Sequence, residues 1–151
     1  MRFFRLISAL AGVVFMQQAA VAEPAIRLMV ATEIKTDRNG HYSTRAMING
    51  NLVEVLVDTG ATTVALSYDD ANKVRLWPVT MKFDVPVSTA NGNVNAARVT
   101  LKSIKIGTIE IRDVEAIVLP KGALRGTLLG MSFLSRLKGF KIEDGVLLLT
   151  D

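Results

Sequence analysis

The residues best suited to chemistry in this chain are Asp58, Thr59 and Gly60, which follow the apolar run 52–57. Such a run predicts a strand buried on both faces, so the Asp58 carboxylate comes at the edge of the core. Gly60 has no side chain, and its backbone N–H can therefore approach and orient that carboxylate. Thr59 adds a hydroxyl that can anchor the loop. A positioned carboxylate suits general acid–base chemistry, although Asp-Thr-Gly alone is also compatible with a simple turn.

The elements that must position Asp58 are predicted to be short strands separated by turn residues, the pattern of a compact all-β domain. The predicted strands are 41–48, 52–57, 62–66, 85–88, 95–101, 104–106, 109–111, 114–119, 140–142 and 146–149. Asn-Gly and Asp-Gly turns separate several of them, which favours hairpins. Short helices are predicted to begin after Ser67, in a Ser-x-x-Asp pattern similar to a capping box, and near residues 132–137.

Residues 1–22 are predicted to form an export signal. Arg2 and Arg5 supply its positive start, residues 6–16 are apolar, and Ala20-Val21-Ala22 gives the small-x-small pattern of a cleavage site. The expected location is periplasmic. The alternative is a single-pass membrane anchor with the domain outside the cytoplasm, but the segment is short against the roughly 20 apolar residues of a spanning helix. Residues 23–39 are predicted to be a tether and loop, and 40–151 the folded domain.

Composition excludes several kinds of site. The chain has 18 basic and 14 acidic residues, a net charge of +4 that falls to +2 without Arg2 and Arg5, and no block of like charges. This gives no electrostatic support for nucleic-acid binding. With no cysteine and one histidine, a thiol nucleophile and a zinc site are not expected, nor is any other cofactor.

The remaining polar residues are interpreted as structural. His41 is expected at a strand edge, and a serine triad built on it would lack a Gly-x-Ser-x-Gly elbow. Four acidic residues are expected to be solvated charges on turns or strand faces: Asp69, Asp70, Asp113 and Glu115.

Three stretches carry a resemblance to a known family: Val-Asp-Thr-Gly-Ala-Thr at 57–62, Thr-Ala-Asn-Gly at 89–92 and Leu-Leu-Gly-Met-Ser-Phe-Leu at 128–134. With the strands around them, residues 40–149 resemble the retropepsin-like aspartic proteases, especially small bacterial, membrane-targeted members. The resemblance implies an all-β acid-protease barrel with one or two short helices, active as a twofold homodimer.

The resemblance also implies roles for individual residues. Asp58 would be the catalytic aspartate, Thr59 would make hydroxyl contacts between subunits, and Gly60 would steady the carboxylate. The implied active-site loop is Thr59, Gly60, Ala61 and Thr62, the implied substrate-binding flap is Thr89, Ala90, Asn91 and Gly92, and the implied supports are Leu128, Leu129 and Gly130. This chain departs from the family pattern at Arg75-Leu76-Trp77, where a glycine-containing turn is expected.

The number of catalytic aspartates indicates a dimer. Aspartic proteases need two carboxylates that share a proton, and this chain has one Asp-Thr-Gly and no Asp-Ser-Gly. We expect another copy to supply the second aspartate across a twofold axis. The apolar segment 146–149 is a candidate edge for pairing between subunits; if it is buried within one subunit, the interface lies elsewhere.

The expected function is therefore an aspartic endopeptidase, which hydrolyses peptide bonds with a water activated by an Asp dyad. One alternative is a non-catalytic peptide-binding or dimerisation module on the same fold, although such a module has no need of a buried carboxylate pair. Another is a structural envelope protein anchored by its leader.

Overall fold

The folded part of the chain consists almost entirely of β-strands. A computed structural model describes residues 31–89 and 92–151. Its strands are β1 (Ala31–Lys35), β2 (Ser43–Ile48), β3 (Asn51–Val57), β4 (Val64–Leu66), β5 (Val85–Thr89), β6 (Gly92–Ile106), β7 (Ile109–Val118), β8 (Thr127–Leu129), β9 (Gly139–Glu143) and β10 (Val146–Thr150). Its helices are α1 (Tyr68–Lys73), α2 (Met131–Leu134) and a 3-10 turn at Pro78–Thr80. Within the described ranges, no helix has the length and apolar character needed to cross a bilayer.

Six strands close into a barrel. They follow the order β2-β3-β8-β4-β7-β6, and a second pairing between β2 and β6 completes the ring. β3 pairs with β8, and β4 with β7, in parallel, while the other neighbours are antiparallel. Alternate side chains such as Val53 and Val55 of β3, and Ile104 and Ile106 of β6, are buried in the interior. The all-β barrel with two short helices that the sequence predicts is confirmed.

The two longest strands, β6 and β7, replace four short strands predicted from the sequence. Their pairing runs from Ala97 opposite Val118 to Ile106 opposite Ile109, and it includes the pairs Leu101–Val114 and Ser103–Arg112 on either side of Lys102. Between these pairs, Asp113 has a positive φ of 53°, and the Lys102 N–H binds the Asn49 side chain at 2.8 Å. The polar residues at this point therefore mark a bend in continuous strands rather than their ends.

A three-stranded sheet with the order β1-β10-β9 lies beside the barrel. The sequence predicts a tether and loop over 23–39, which is wrong for Ala31–Lys35, because these residues pair with β10. The sequence of 31–35 has only a weak strand pattern, and these residues form a strand because they pair with β10 near the other end of the chain. The predicted leader 1–22 and residues 23–30 lie outside the described residues, so the division into domains stays a prediction.

The segment 146–149 is not a free strand edge, and of the two expectations stated for it the structure bears out burial within one subunit. β10 is the central strand, with β1 on one side and β9 on the other, and both Leu147 and Leu149 are buried. The apolar character of this strand reflects burial within one subunit. Any contact between subunits must therefore use other residues.

Helix α1 begins as predicted, since the Ser67 hydroxyl accepts a hydrogen bond from the Asp70 N–H at 3.1 Å. The interpretation of Asp70 as a solvated charge is wrong, because this residue is only 5% exposed. Its carboxylate accepts hydrogen bonds from Thr127 Oγ1 at 3.0 Å and Lys73 Nζ at 2.7 Å. The bond from Lys73 raises the pKa of that ammonium group. The network ties α1 to β8.

The turn after α1 has left-handed backbone without glycine. Arg75 and Trp77 have φ values of 60° and 53°. Left-handed backbone costs a residue with a side chain about 1–2 kcal/mol, so this turn is one that a glycine would fit more easily. Pro78 then opens the 3-10 turn.

Candidate active site

Asp58 lies half-buried where β3 ends, beside the last residue of its parallel neighbour β8. The Asp58 N–H donates to the Leu129 carbonyl at 3.2 Å, and the Ala61 N–H donates to the Asp58 carbonyl at 3.2 Å. The Gly60 N–H donates to Asp58 Oδ1 at 2.9 Å. The contact between Gly60 and the carboxylate that the sequence predicts is therefore present, and it fixes the direction of the carboxylate.

The start of helix α2 is hydrogen-bonded to the loop that follows Asp58. The Met131 N–H donates to the Ala61 carbonyl at 2.8 Å, and the Ser132 N–H donates to the Thr62 carbonyl at 3.0 Å. Gly130 allows this close approach, since a Cβ at that position would lie 2.5 Å from the Thr63 carbonyl oxygen. The loop and the start of α2 are thus held in contact through main-chain atoms, with Gly130 between them.

The hydroxyl of Ser132 is a positioning group that sequence reasoning missed. It accepts a hydrogen bond from the Val64 N–H at 2.9 Å and donates one to the Glu115 carbonyl at 2.7 Å. One side chain thereby joins α2 to the start of β4 and to β7. Ser132 lies in the stretch 128–134 on which the family resemblance depends, but its two partners are distant in sequence and have no local signal.

The Asp58 carboxylate faces a cleft of about 620 Å³. Five other residues of the predicted site and its supports line this cleft: Gly60, Ala61, Thr62, Thr89 and Leu128. Thr59 is exposed beside it, and Leu129 is buried in the core. The other residues that line the cleft are outside the site predicted from the sequence: Thr63, Ala65, Val87, Ser88, Ile117, Leu119, Ala123 and Leu124. Asp58 is the only ionisable residue among those that line the cleft within the described ranges.

The hairpin β5–β6, which contains the predicted flap, borders the cleft. Val87, Ser88 and Thr89 reach the cleft, and Gly92 begins the returning strand with a φ of 110°, a backbone conformation that favours glycine. Hydrogen bonds from Ser88 Oγ to Asn93 Oδ1 and from Thr89 Oγ1 to the Gly92 carbonyl, both 2.8 Å, join the two strands. The predicted flap residues Ala90 and Asn91 lie outside the described residues.

A second loop, residues 36–42, supports Asp58 from the side of β1. The Tyr42 carbonyl accepts a hydrogen bond from the Val57 N–H at 2.9 Å, one residue before Asp58. Within the loop, hydrogen bonds from the main chain, chiefly from the His41 N–H, lower the pKa of Asp37. The His41 side chain is exposed, 3.7 Å from the Asp37 carboxylate, and lies on the loop before β2 rather than on the predicted strand.

The sequence was compared with models of known protein families, and one family matches. Residues 44–136 match the family described as "gag-polyprotein putative aspartyl protease". The matched region contains the Asp58 loop, both flap strands and α2. The chain belongs to this aspartyl protease family.

Solved structures share its retropepsin-like fold. A retropepsin-like aspartic protease from Rickettsia conorii matches with a TM-score of 0.73 and 36% identity, over 81% of this chain and 91% of that one. The EIAV protease, solved with the inhibitor HBY-793, matches with a TM-score of 0.58 and 22% identity, over 73% of this chain and 100% of that one. At 22% identity, the match to the EIAV protease shows a shared fold and nothing more.

An uncharacterised protein of Sinorhizobium sp. from the cobV 5′ region is 47% identical over 113 residues, which is 75% of this chain and 48% of that protein. The chain spans about half the length of the curated relatives it matches.

Proposed function

We propose that this protein is an aspartic endopeptidase whose active site forms between two copies of the chain, each supplying Asp58. The observation that carries the proposal is the carboxylate of Asp58, oriented by the Gly60 N–H on the floor of a cleft beneath a hairpin. The 151 residues contain one Asp-Thr-Gly. A second copy of the chain, related by a twofold axis between the two Asp58 loops, would supply the other carboxylate of the dyad. The exposed Thr59 side chain is available for contacts between those loops.

The proposed reaction is general acid–base hydrolysis. The ionised Asp58 of one subunit takes a proton from a water molecule, whose oxygen attacks the scissile carbonyl carbon. The protonated Asp58 of the other subunit donates its hydrogen to the carbonyl oxygen, which forms a neutral tetrahedral diol. Breakdown of the diol breaks the C–N bond. The proton of the dyad goes to the leaving nitrogen, and the ionised carboxylate of the pair takes a proton from one diol hydroxyl, whose oxygen becomes the carbonyl oxygen of the new carboxyl group. The pair returns to one proton shared between two carboxylates.

The proposed substrate is an extended peptide. A strand laid between the flap and the Asp58 loop can form main-chain hydrogen bonds with the flap, and its side chains fill the cleft on alternate sides. Closure of the flap would exclude bulk water from the dyad. The walls at Ala65, Ile117 and Leu119 are aliphatic and would contact apolar substrate side chains.

Replacement of the catalytic carboxyl tests this proposal. Asp58→Asn keeps the size of the side chain but cannot ionise, and we expect it to reduce cleavage of a peptide library by about 10²–10⁴-fold or more. The matched control is Asp69→Asn, which alters an exposed carboxylate on α1 outside the cleft and should leave cleavage unchanged. Mass spectrometry of the products, with thermal unfolding of each variant, provides the measurement. Equal cleavage by Asp58→Asn and wild type would remove Asp58 from the mechanism, and peptide binding without turnover by wild type would favour a binding module.

We also propose that the enzyme acts outside the cytoplasm, in the periplasm or held at the membrane by residues 1–22. The positive start and apolar run of that segment support the proposal. The mass of the protein recovered from the cell envelope tests it. The mass of a chain that starts at Glu23 would indicate a cleaved signal, and the mass of the full-length chain would indicate an anchor. Recovery of the protein in the cytoplasm alone would contradict both.

A further inference from the structure

The polar side chains that are buried within residues 31–89 and 92–151 form one hydrogen-bonded network. They are Ser67, Asp70 and Thr127, each at most 5% exposed. The Thr127 hydroxyl donates to Asp70 Oδ2 at 3.0 Å, and the Ser67 hydroxyl accepts a hydrogen bond from the Asp70 N–H at 3.1 Å. Burial of polar groups costs free energy that apolar side chains would not cost. The proposed hydrolysis uses none of the three residues, so their position in the fold is what can assign them a role.

The network lies behind one wall of the Asp58 cleft. Residues 120–126 connect β7 to β8 and are called the wall loop here, because Ala123 and Leu124 line the cleft. A second cleft, of about 680 Å³, lies on the other side of the wall loop, and Leu124 lines both clefts. Since open space lies on both sides of the loop, hydrogen bonds contribute more than packing to its position.

Hydrogen bonds hold both ends of the wall loop. The Leu119 N–H donates to the Leu66 carbonyl at 3.0 Å, and the Ser67 N–H donates to the Gly126 carbonyl at 3.1 Å. Leu66 ends β4 and Ser67 caps α1, so one short segment holds the two ends. Gly126 has a φ of 82°, and glycine loses more conformational freedom on folding than other residues. The second end of the loop therefore depends on the contacts made around it.

Asp70 is the strongest of the contacts at that end. One oxygen of its carboxylate accepts the Thr127 hydroxyl, and the other accepts Lys73 Nζ at 2.7 Å, which forms an ion pair within α1. Hydrogen bonds that involve an ionised group are about twice as strong as those between neutral groups. Thr127 begins β8 directly after the wall loop, and the next residue, Leu128, lines the cleft. The bond from Thr127 to Asp70 thus fixes the point where the wall loop joins the barrel.

On the basis of the proposed function, we propose that Asp70 and Thr127 are positioning residues for substrate selection. Their hydrogen bond holds the wall loop where Ala123 and Leu124 fit apolar substrate side chains of limited size. Without the bond, the loop can move toward the second cleft and the Asp58 cleft widens. Asp58 itself keeps its supports from Gly60 and from α2. Substrate binding and the choice among apolar side chains then change, while turnover of bound substrate does not.

Removal of the Thr127 hydroxyl tests this role. Thr127→Val keeps the branched shape of the side chain, and we expect KM to rise about tenfold with kcat within about twofold of wild type. Cleavage of a peptide library, read by mass spectrometry, should extend to a wider range of apolar residues at the scissile bond. Thr127→Ser restores the hydroxyl and should return both KM and the range of residues close to those of wild type.

Two further variants separate positioning from general stability. Ile109→Val removes one methyl group from a side chain that is 2% exposed at the start of β7, and should lose stability comparably without any change in KM or peptide preference. Asp70→Asn keeps an acceptor for the Thr127 hydroxyl but a neutral one, so KM should rise less than in Thr127→Val. Asp70→Asn also carries the test if Thr127→Val does not fold.

Hydrogen–deuterium exchange measures the wall loop without catalysis. Thr127→Val should exchange faster than wild type in residues 120–126 and at the wild-type rate in residues 58–63. The proposal would be overturned by unchanged exchange in the wall loop, by unchanged KM and peptide preference, or by an equal rise of KM in Ile109→Val. Any of these results with full cleavage by wild type would leave the proposed function standing. If wild type cut no peptide, the proposed function would fail, and peptide affinity would replace KM in judging the positioning role.

Discussion

The Asp58 loop and the flap face the same cleft, but they are held in different ways. The loop is fixed from three sides, by Leu129 of β8, by the N–H groups at the start of α2, and by the Tyr42 carbonyl behind Val57. The two strands of the flap are joined by cross-strand bonds such as Ser88 to Asn93, and the described side chains from Val85 to Asn95 are exposed or half-buried rather than buried. The difference indicates that the fold fixes the Asp58 carboxylate and supports the hairpin more weakly, which suits the proposed entry of a peptide substrate.

The largest effect should follow from filling the space between the loop and α2. Gly130→Ala would place a Cβ 2.5 Å from the Thr63 carbonyl oxygen and 2.7 Å from that of Ala61. Because both obstacles are backbone, we expect a loss of about 3 kcal/mol in the free energy of unfolding, together with reduced cleavage. Denaturant unfolding measures the first and a peptide assay the second.

The control for this variant is Gly139→Ala, where a Cβ would meet only the Thr150 hydroxyl at 3.3 Å and a smaller loss of stability is expected. If Gly130→Ala were as stable as wild type, main-chain contact with α2 would not be what fixes the loop.

A smaller effect should follow from removing the hydroxyl that joins α2 to its neighbours. Ser132→Ala leaves the Val64 N–H without its acceptor, and we expect a loss of about 1–3 kcal/mol. Ser135→Ala, which removes an exposed hydroxyl bonded to Met131 within the same helix, should cost much less. If the two variants lost equal stability, Ser132 would have no special role in positioning the loop.

The smallest effect on stability, and the clearest on substrate binding, should come from the flap. Ser88→Ala removes a hydroxyl at the cleft and its bond to Asn93, and should raise KM while stability changes by less than about 0.5 kcal/mol. Ser103→Ala, on the far half of β6, should change neither quantity. A large loss of stability in Ser88→Ala would show that the flap is as firmly held as the Asp58 loop.

The parts of the molecule that could be predicted from sequence are those with local signals. The apolar run before Asp58, the glycine beside the carboxylate and the serine that caps α1 each depend on residues a few positions apart. The strand β1, the burial of Asp70 and the bridge through Ser132 depend on partners far along the chain, such as β10, Thr127 and Glu115. Local patterns carry no information about such partners, so these features came only from the structure.

The last two strands, β9 and β10, show the same limit of local patterns. The apolar residues of 146–149 favour an exposed edge or a buried centre equally well, and only the pairing with β1 and β9 decides between them. Among the described strands, β9 is an outer strand of this sheet, and its alternation of charged and apolar residues gives no sequence signal for that position.

A mixing experiment tests the central claim, that one active site needs Asp58 from two subunits. Wild type and Asp58→Asn are unfolded together and refolded in varied proportions at constant total concentration, and the rate of peptide cleavage is recorded. If each active site draws on two chains, the rate falls with the square of the wild-type fraction, to about one quarter at equal proportions. A linear decline, to about one half, would show that each chain cuts alone and would contradict the account.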